Sequence, residues 1–269
     1  MVRATGVFGV RGVPVFMYHL LTGPQEAPRP GVDRRYTVPG ATFREHLAIL
    51  KGDGFSPVSL RALWAQGTLT GASRPVGLTF DDGDMSNYTQ AYPALAAAEL
   101  RADFFVNTST IGQPGFLTWT QIAEMQRGGL AFHSHSHDHV ALVGLGQTAL
   151  ERQLRDSKRL LEDRLGAPID FLAAPYGLVN ARVIRSAREV GYRAVCTSWS
   201  WPARPGASSV SRIAIYPDTP AQDFVRLLRG SPRIFLRRMP RALLLHVPKR
   251  VLLRLRPDWL GVQTLEAGS

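Results

Sequence analysis

Val76-Gly77-Leu78-Thr79-Phe80-Asp81-Asp82-Gly83 is the stretch on which the reading of this chain turns. An apolar run of strand length stops at two adjacent carboxylates, and a glycine then makes the turn. Neighbouring residues of an extended chain point to opposite sides. Asp81 and Asp82 therefore suit two different jobs, one holding a metal ion and the other accepting a proton. Taken alone, the same residues also fit a solvated acidic turn at any strand end.

Outward from this stretch, short apolar runs at 13–17, 56–58, 76–80, 102–106, 130–134, 169–173, 193–197 and 210–215 alternate with helix-like segments. The helical segments fall at 42–51, 60–66, 88–100, 118–127, 148–165, 180–189 and 220–228. Thr118 stands three residues before Gln121, the spacing of a capping box, and Gly128-Gly129 ends that helix. Gly166 and Pro168 close the next one. Strands separated by single helices are the pattern of βα units, so the expected fold is α/β, a single parallel (β/α) barrel. An open doubly wound sheet is the second choice. In either, chemistry belongs where strands end and βα loops begin.

A second cluster gives the acidic pair its meaning. His133-Ser134-His135-Ser136-His137-Asp138-His139 holds four of the chain's seven histidines. Histidines at i and i+4 can converge on one ion, and imidazole with carboxylate is a good donor set for Zn²⁺ or a similar divalent ion. His133 with His137 and His135 with His139 share that spacing. A histidine-rich surface loop or metal-storage tract is the plain alternative.

Composition bounds the remaining choices. At 269 residues with 45% apolar content, the chain can bury one large core. Cys196 is the only cysteine, so neither an internal disulfide nor a cysteine metal cluster is expected. The net charge of +11 is concentrated: residues 226–256 carry ten Lys/Arg and no Asp or Glu. A basic tail, 226–269, on a nearly neutral body, 1–225, is expected, and nucleic acid is not the expected partner. Leucines interleaved with the charges suit an anionic membrane surface. No apolar run of signal-peptide length precedes Pro14, so the expected location is cytoplasmic, with peripheral membrane contact as an option.

These residues resemble the polysaccharide deacetylase family, with its chitooligosaccharide-deacetylase homology domain. Thr79-Phe80-Asp81-Asp82-Gly83 is similar to its first motif, and Ser134-His135-Ser136-His137-Asp138-His139 to its His-x-x-x-His second motif. The resemblance runs from about residue 13 to 215. It implies a seven-stranded, distorted barrel, with Asp82, His135 and His139 as metal ligands and Asp81 as general base. Val140-Ala141-Leu142 as apolar exit favours that histidine register over His133 and His137. Ala173-Ala174-Pro175-Tyr176-Gly177 is similar to a third element, in which the aromatic residue's backbone N–H points into the site. Many members carry an arginine where Ala173 stands here, so the base is tuned differently or another cation such as Arg212 replaces it.

Val13-Pro14-Val15-Phe16-Met17-Tyr18-His19 resembles the circularly permuted branch that includes biofilm poly-N-acetylglucosamine deacetylases. There the leaving-group acid comes from the first strand, which implies His19. His246, in a Leu-x-His of the basic segment, is the alternative acid and would imply the unpermuted topology. Trp199 and Trp201 are candidates for a sugar-stacking wall beside Pro175. The implied function is metal-dependent removal of N-acetyl groups from amino sugars of a polysaccharide or lipid-linked glycan, with Zn²⁺ first and Co²⁺, Ni²⁺ or Fe²⁺ behind it. A metal amidase on a non-sugar amide and a non-catalytic carbohydrate-binding barrel are the rival readings.

Overall fold

A computed structural model describes residues 12–23, 33–65 and 74–238. Strand β1 (Val15–Tyr18) leads into β2 (Leu20–Thr22), which pairs in parallel with β3 (Thr37–Pro39) beyond a 3₁₀ turn, Arg34–Tyr36. Then come α1 (Gly40–Gly52), β4 (Ser56–Pro57), α2 (Leu60–Trp64) and β5 (Pro75–Phe80). A π-helical turn, Asn87–Ala91, opens into α3 (Tyr92–Ala98). From there the chain alternates as foreseen: β6 (Asp103–Val106), α4 (Trp119–Arg127), β7 (Ala131–Ser134), α5 (Gln147–Leu165), β8 (Phe171–Ala173), α6 (Ala181–Val190) and β9 (Ala194–Cys196). Short strands β10 (Ser209–Val210) and β11 (Ile213–Ala214) precede α7 (Ala221–Leu228). The capping box of α4 forms, the side chains of Thr118 and Gln121 each accepting from the other's backbone N–H.

The main sheet is parallel throughout, in the order β10-β9-β8-β7-β6-β5-β1-β11, with β4 paired to the start of β5. It curls, but it is not a closed barrel: no ladder joins β10 to β11 among the described residues. The expected closed, seven-stranded barrel therefore holds only as a curled parallel α/β sheet. The reason lies in one short segment. The apolar run at 210–215, expected as one strand, pairs first with β9 and then, after Ser211-Arg212, with β1. The two sheet ends meet through the covalent chain.

Alternation on each strand sorts the side chains into two layers. Phe16, Tyr18, Leu78, Phe80, Phe104, Val106 and Phe132 face the helices and form the larger core. Phe43 of α1 packs edge-on against both Tyr18 and Phe80. The inner face of the curl holds a smaller cluster, with Val15, Phe105, Phe171, Ala173, Ala194 and Cys196. Asp81 falls in step with the inward residues of β5, and His133 and His135 with those of β7.

The body continues past the expected boundary at 225. Phe224, Leu227, Leu228, Ile234 and Phe235 are buried in the larger core. Arg226 and Arg237 both pair with the buried carboxylate of Asp223, Arg229 pairs with Asp53, and Arg238 donates to Ala214 O and Thr219. Four of the first five arginines of the basic segment thus tie it to the body. The segment beyond 238, with His246, lies outside the described residues, and no described helix is long and apolar enough to cross a membrane.

Candidate metal centre

Three strand ends build the site. Asp82 leaves β5 at φ +74, a left-handed conformation that an L-residue adopts at a cost. Ser136 (+69), His139 (+56) and Tyr176 (+60) do the same on the loops after β7 and β8. Four of the five non-glycine residues with positive φ among the described residues thus surround one point, the kind of place where backbone strain is tolerated for function. Asp82 Oδ1 lies 3.3 Å from His135 Nε2 and 3.3 Å from His139 Nε2, and the three donor atoms lie within 4.8 Å of one another.

The register of the histidines follows from the pleat. His133 and His135 both point inward, but two residues of strand put them about 6.6 Å apart along the chain. His133 is therefore one level deeper, where its Nε2 meets Asp103 Oδ1 at 3.1 Å. His135 emerges at the rim beside Asp82. His137 turns to Thr108, 2.7 Å from its Nδ1. The structure thus brings Asp82, His135 and His139 together and sends His133 and His137 elsewhere.

The chemistry of the donor set fits a cation. His135 Nδ1 is 2.8 Å from the carbonyl of Ala173, which can only accept, so the ring's proton sits there and Nε2 of the neutral ring offers a lone pair. That lone pair faces a carboxylate oxygen, and Asp82 Oδ1 is buried without a hydrogen-bond partner. Two electron-rich atoms at that separation repel unless positive charge lies between them. Burial works against a charged His135, yet Asp81 and Asp82 outweigh it and raise its proton affinity. The site is short of positive charge.

Asp81 is supplied from the seam of the sheet. The Arg212 guanidinium, fully buried, donates to both oxygens of Asp81, at 2.6 and 2.7 Å. Its Nε donates to Thr197 O at 3.2 Å, and its plane lies 5.1 Å over the Phe105 ring. Burial pushes the Asp81 carboxyl up, but Arg212 overcomes this and holds it below the usual aspartate value. Arg212 thus stands where the residue at Ala173 could not reach.

His19 follows β1 on the same rim. Burial lowers its proton affinity, while Asp82 and Asp81 pull in the opposite direction. Its ring stacks on Tyr36 at 4.4 Å, a neighbour with no signal in the sequence, since Tyr36 sits in a 3₁₀ turn without periodic pattern. Tyr176 occupies the turn Pro175–Gly177, its ring 4.9 Å from that of His139. Gly177 follows at φ +69, where a Cβ would stand 2.3 Å from Ser198 Oγ. Pro175 is buried under this turn. The two tryptophans diverge: Trp199 is 40% exposed, whereas Trp201 packs on the larger core, 5.4 Å from Phe235.

What fold and site define together is a parallel α/β domain with an Asp-His-His donor set that could hold a cation and an arginine-held carboxylate beside it. Residues 69–195, which include Asp81, Asp82, His135, His139 and Tyr176, match the family described as polysaccharide deacetylase. His19 and Arg212 lie outside this stretch. A Bacillus subtilis (strain 168) protein named as a polysaccharide deacetylase, YxkH, is 29% identical over 201 residues, covering 73% of this chain and 66% of that protein. The poly-beta-1,6-N-acetyl-D-glucosamine N-deacetylase of Staphylococcus epidermidis is 31% identical over 44% of this chain and 46% of its own length. The chain thus spans between under half and about two-thirds of the length of these relatives. Among solved structures, the Streptococcus pyogenes deacetylase PplD in complex with acetate superposes with a TM-score of 0.72 at 25% identity, over 81% of this chain and 99% of that one.

Proposed function

We propose that the protein is a metal-dependent N-deacetylase of amino-sugar glycans. The observation that carries this reading is the convergence of Asp82, His135 and His139 on one point beside an arginine-held Asp81. The relatives' printed names supply the substrate class, an N-acetylated polysaccharide. A divalent ion in this donor set, Zn²⁺ first among them, supplies a Lewis acid for the acetyl carbonyl and a water made acidic enough to attack at neutral pH.

The chain's own residues do the rest. Each Asp81 oxygen gives one lone pair to Arg212 and keeps another, so the carboxylate can still take the attacking water's proton. The backbone N–H of Tyr176 serves the carbonyl oxygen as negative charge builds on it, a contact worth ~3 kcal/mol of barrier. His19 gives a proton to the departing amine nitrogen, which otherwise leaves poorly. Exposed Trp199 offers a face for a sugar ring, with Pro175 shaping the turn beside it.

Acetate release from N-acetylglucosamine oligomers, against small N-acetyl amines and with and without chelator, tests the reading. Release from the oligomers alone, abolished by chelator, is expected. Release only from small amines would favour the non-sugar amidase, and glycan binding without release the non-catalytic reading. The basic segment from 226 to 256 is assigned to the anionic surface of a membrane on the cytoplasmic side, with five of its ten charges lying past 238. Equal partitioning of full-length and tail-truncated protein onto anionic vesicles at low salt would refute that.

A further inference from the structure

The backbone around His19 is pinned to the segment that follows the acidic pair. Asp81 N–H donates to Tyr18 O at 3.0 Å, Asn87 Nδ2 donates to His19 O at 2.9 Å, and Leu21 N–H donates to Ser86 Oγ at 3.0 Å. Three hydrogen bonds thus register residues 18–21 against residues 81–87. Asn87 opens a π-helical turn, Asn87–Ala91, a rare geometry found disproportionately at functional sites. The residue is completely buried.

His19 and Asn87 each also carry an orphaned side-chain atom. His19 Nδ1 and Asn87 Oδ1 are both buried without a hydrogen-bond partner. One is a ring nitrogen that can carry a proton, and the other is an amide oxygen that can only accept. Left unmatched, each buried group keeps a desolvation cost that a hydrogen bond would recover. They belong to residues already bonded through Asn87 Nδ2 and the His19 carbonyl.

We propose that Asn87 is the positioning residue for His19. Its Oδ1 accepts from His19 Nδ1–H, after a side-chain rotation or through one bridging water, while Nδ2 holds the His19 carbonyl. A fixed Nδ1–H sets the tautomer, so Nε2 is the nitrogen that handles the transferred proton. The Tyr36 ring on the imidazole face leaves that orientation little freedom. The proposal rests on the reading of His19 as the acid in amide cleavage.

The test compares an N-acetyl amine with 4-nitrophenyl acetate in the metal-loaded protein. The amide needs a proton on its leaving group, whereas the nitrophenolate leaves without one. Asn87→Ala should lower amide turnover by at least ~10-fold and ester turnover by less than ~3-fold. Asn87→Asp, which keeps an acceptor but loses the Nδ2 donor, should recover most of the amide activity. Equal losses on both substrates, or Asn87→Asp no better than Asn87→Ala, would overturn the proposal and leave Asn87 a backbone clamp. Should Asn87→Ala not fold, Asn87→Ser takes its place in the same comparison. His19→Ala separates the two levels. If it leaves the amide-to-ester ratio unchanged, the reading of His19 fails; if it lowers the ratio while Asn87 variants do not, only the role of Asn87 fails.

Discussion

Replacing Arg212 by methionine tests whether the buried pair with Asp81 both holds the sheet seam and tunes the base. The Asp81 and Arg212 side chains are 3% and 0% exposed, and two charge-assisted hydrogen bonds join them. Losing the guanidinium strands a carboxylate in the interior, which costs about 3–5 kcal/mol. For a domain of this size that is on the order of a 10 °C fall in Tm. The double variant Asp81→Asn/Arg212→Met removes the stranded charge and should regain about half of the loss. The pH dependence follows with a definite sign. In the native protein the lowered Asp81 pKa contributes stability above the unfolded aspartate value, and this is lost as pH falls through the folded one. In Arg212→Met burial loses its chief counterweight and the pKa rises, so the variant's deficit should shrink as pH falls. Urea denaturation followed by circular dichroism at pH 7 and at pH 4 measures both effects. The acid limb of the activity profile should move upward in the variant, because the base then protonates earlier. A deficit under ~1 kcal/mol at pH 7 with an unmoved acid limb would refute the reasoning.

Asp82→Ala, His135→Ala and His139→Ala should each abolish stoichiometric metal in elemental analysis, while Asp81→Asn and His137→Ala retain it; metal kept in a His135/His139 double variant would break the assignment. His46 is buried behind β1 with Nδ1 2.9 Å from Tyr18 OH, and burial pulls its pKa down to about 4. Its contribution is present above the unfolded value near ~6.5 and lost as pH falls toward 4, about 3 kcal/mol in all. His46→Gln should flatten the stability profile across that window, and an unchanged slope in denaturation midpoints would count against it. Gly177→Ala should cost roughly 1–3 kcal/mol and lower turnover, because the new Cβ meets Ser198 at φ +69; an active variant of unchanged Tm would show that the turn can shift freely.

Much of this was legible because it is local. The acidic pair and the histidine cluster announce themselves through strand-end position and i, i+4 spacing, although spacing alone fits His133 with His137 as well as His135 with His139, and the helices through caps such as Thr118 with Gln121. Arg212 was legible only as a candidate cation, since its contact with Asp81 spans 131 residues of chain. The pairing of β2 with β3, which seats Tyr36 on His19, left no mark because three-residue strands carry no usable alternation. The run at 210–215 looked like one strand because a sequence shows how apolar a segment is, not that its neighbour changes midway. Trp201 looked like a binding residue, and its packing on Phe235 depends on a helix that the basic composition of the segment disguised.

The seam at Arg212 also sets an order of events during synthesis. Asp81 is made early, and the guanidinium that fixes it is encoded 131 residues later, on the segment that joins the two sheet ends. Until that segment docks, a growing chain has its ligand residues but no secured base, and an inward carboxylate that burial alone would neutralise. Contacts this distant in sequence make for slow final steps. On the proposed reading, a chain that ends short of residue 212 lacks the guanidinium that holds Asp81, so that reactivity is withheld until the last strand is in place.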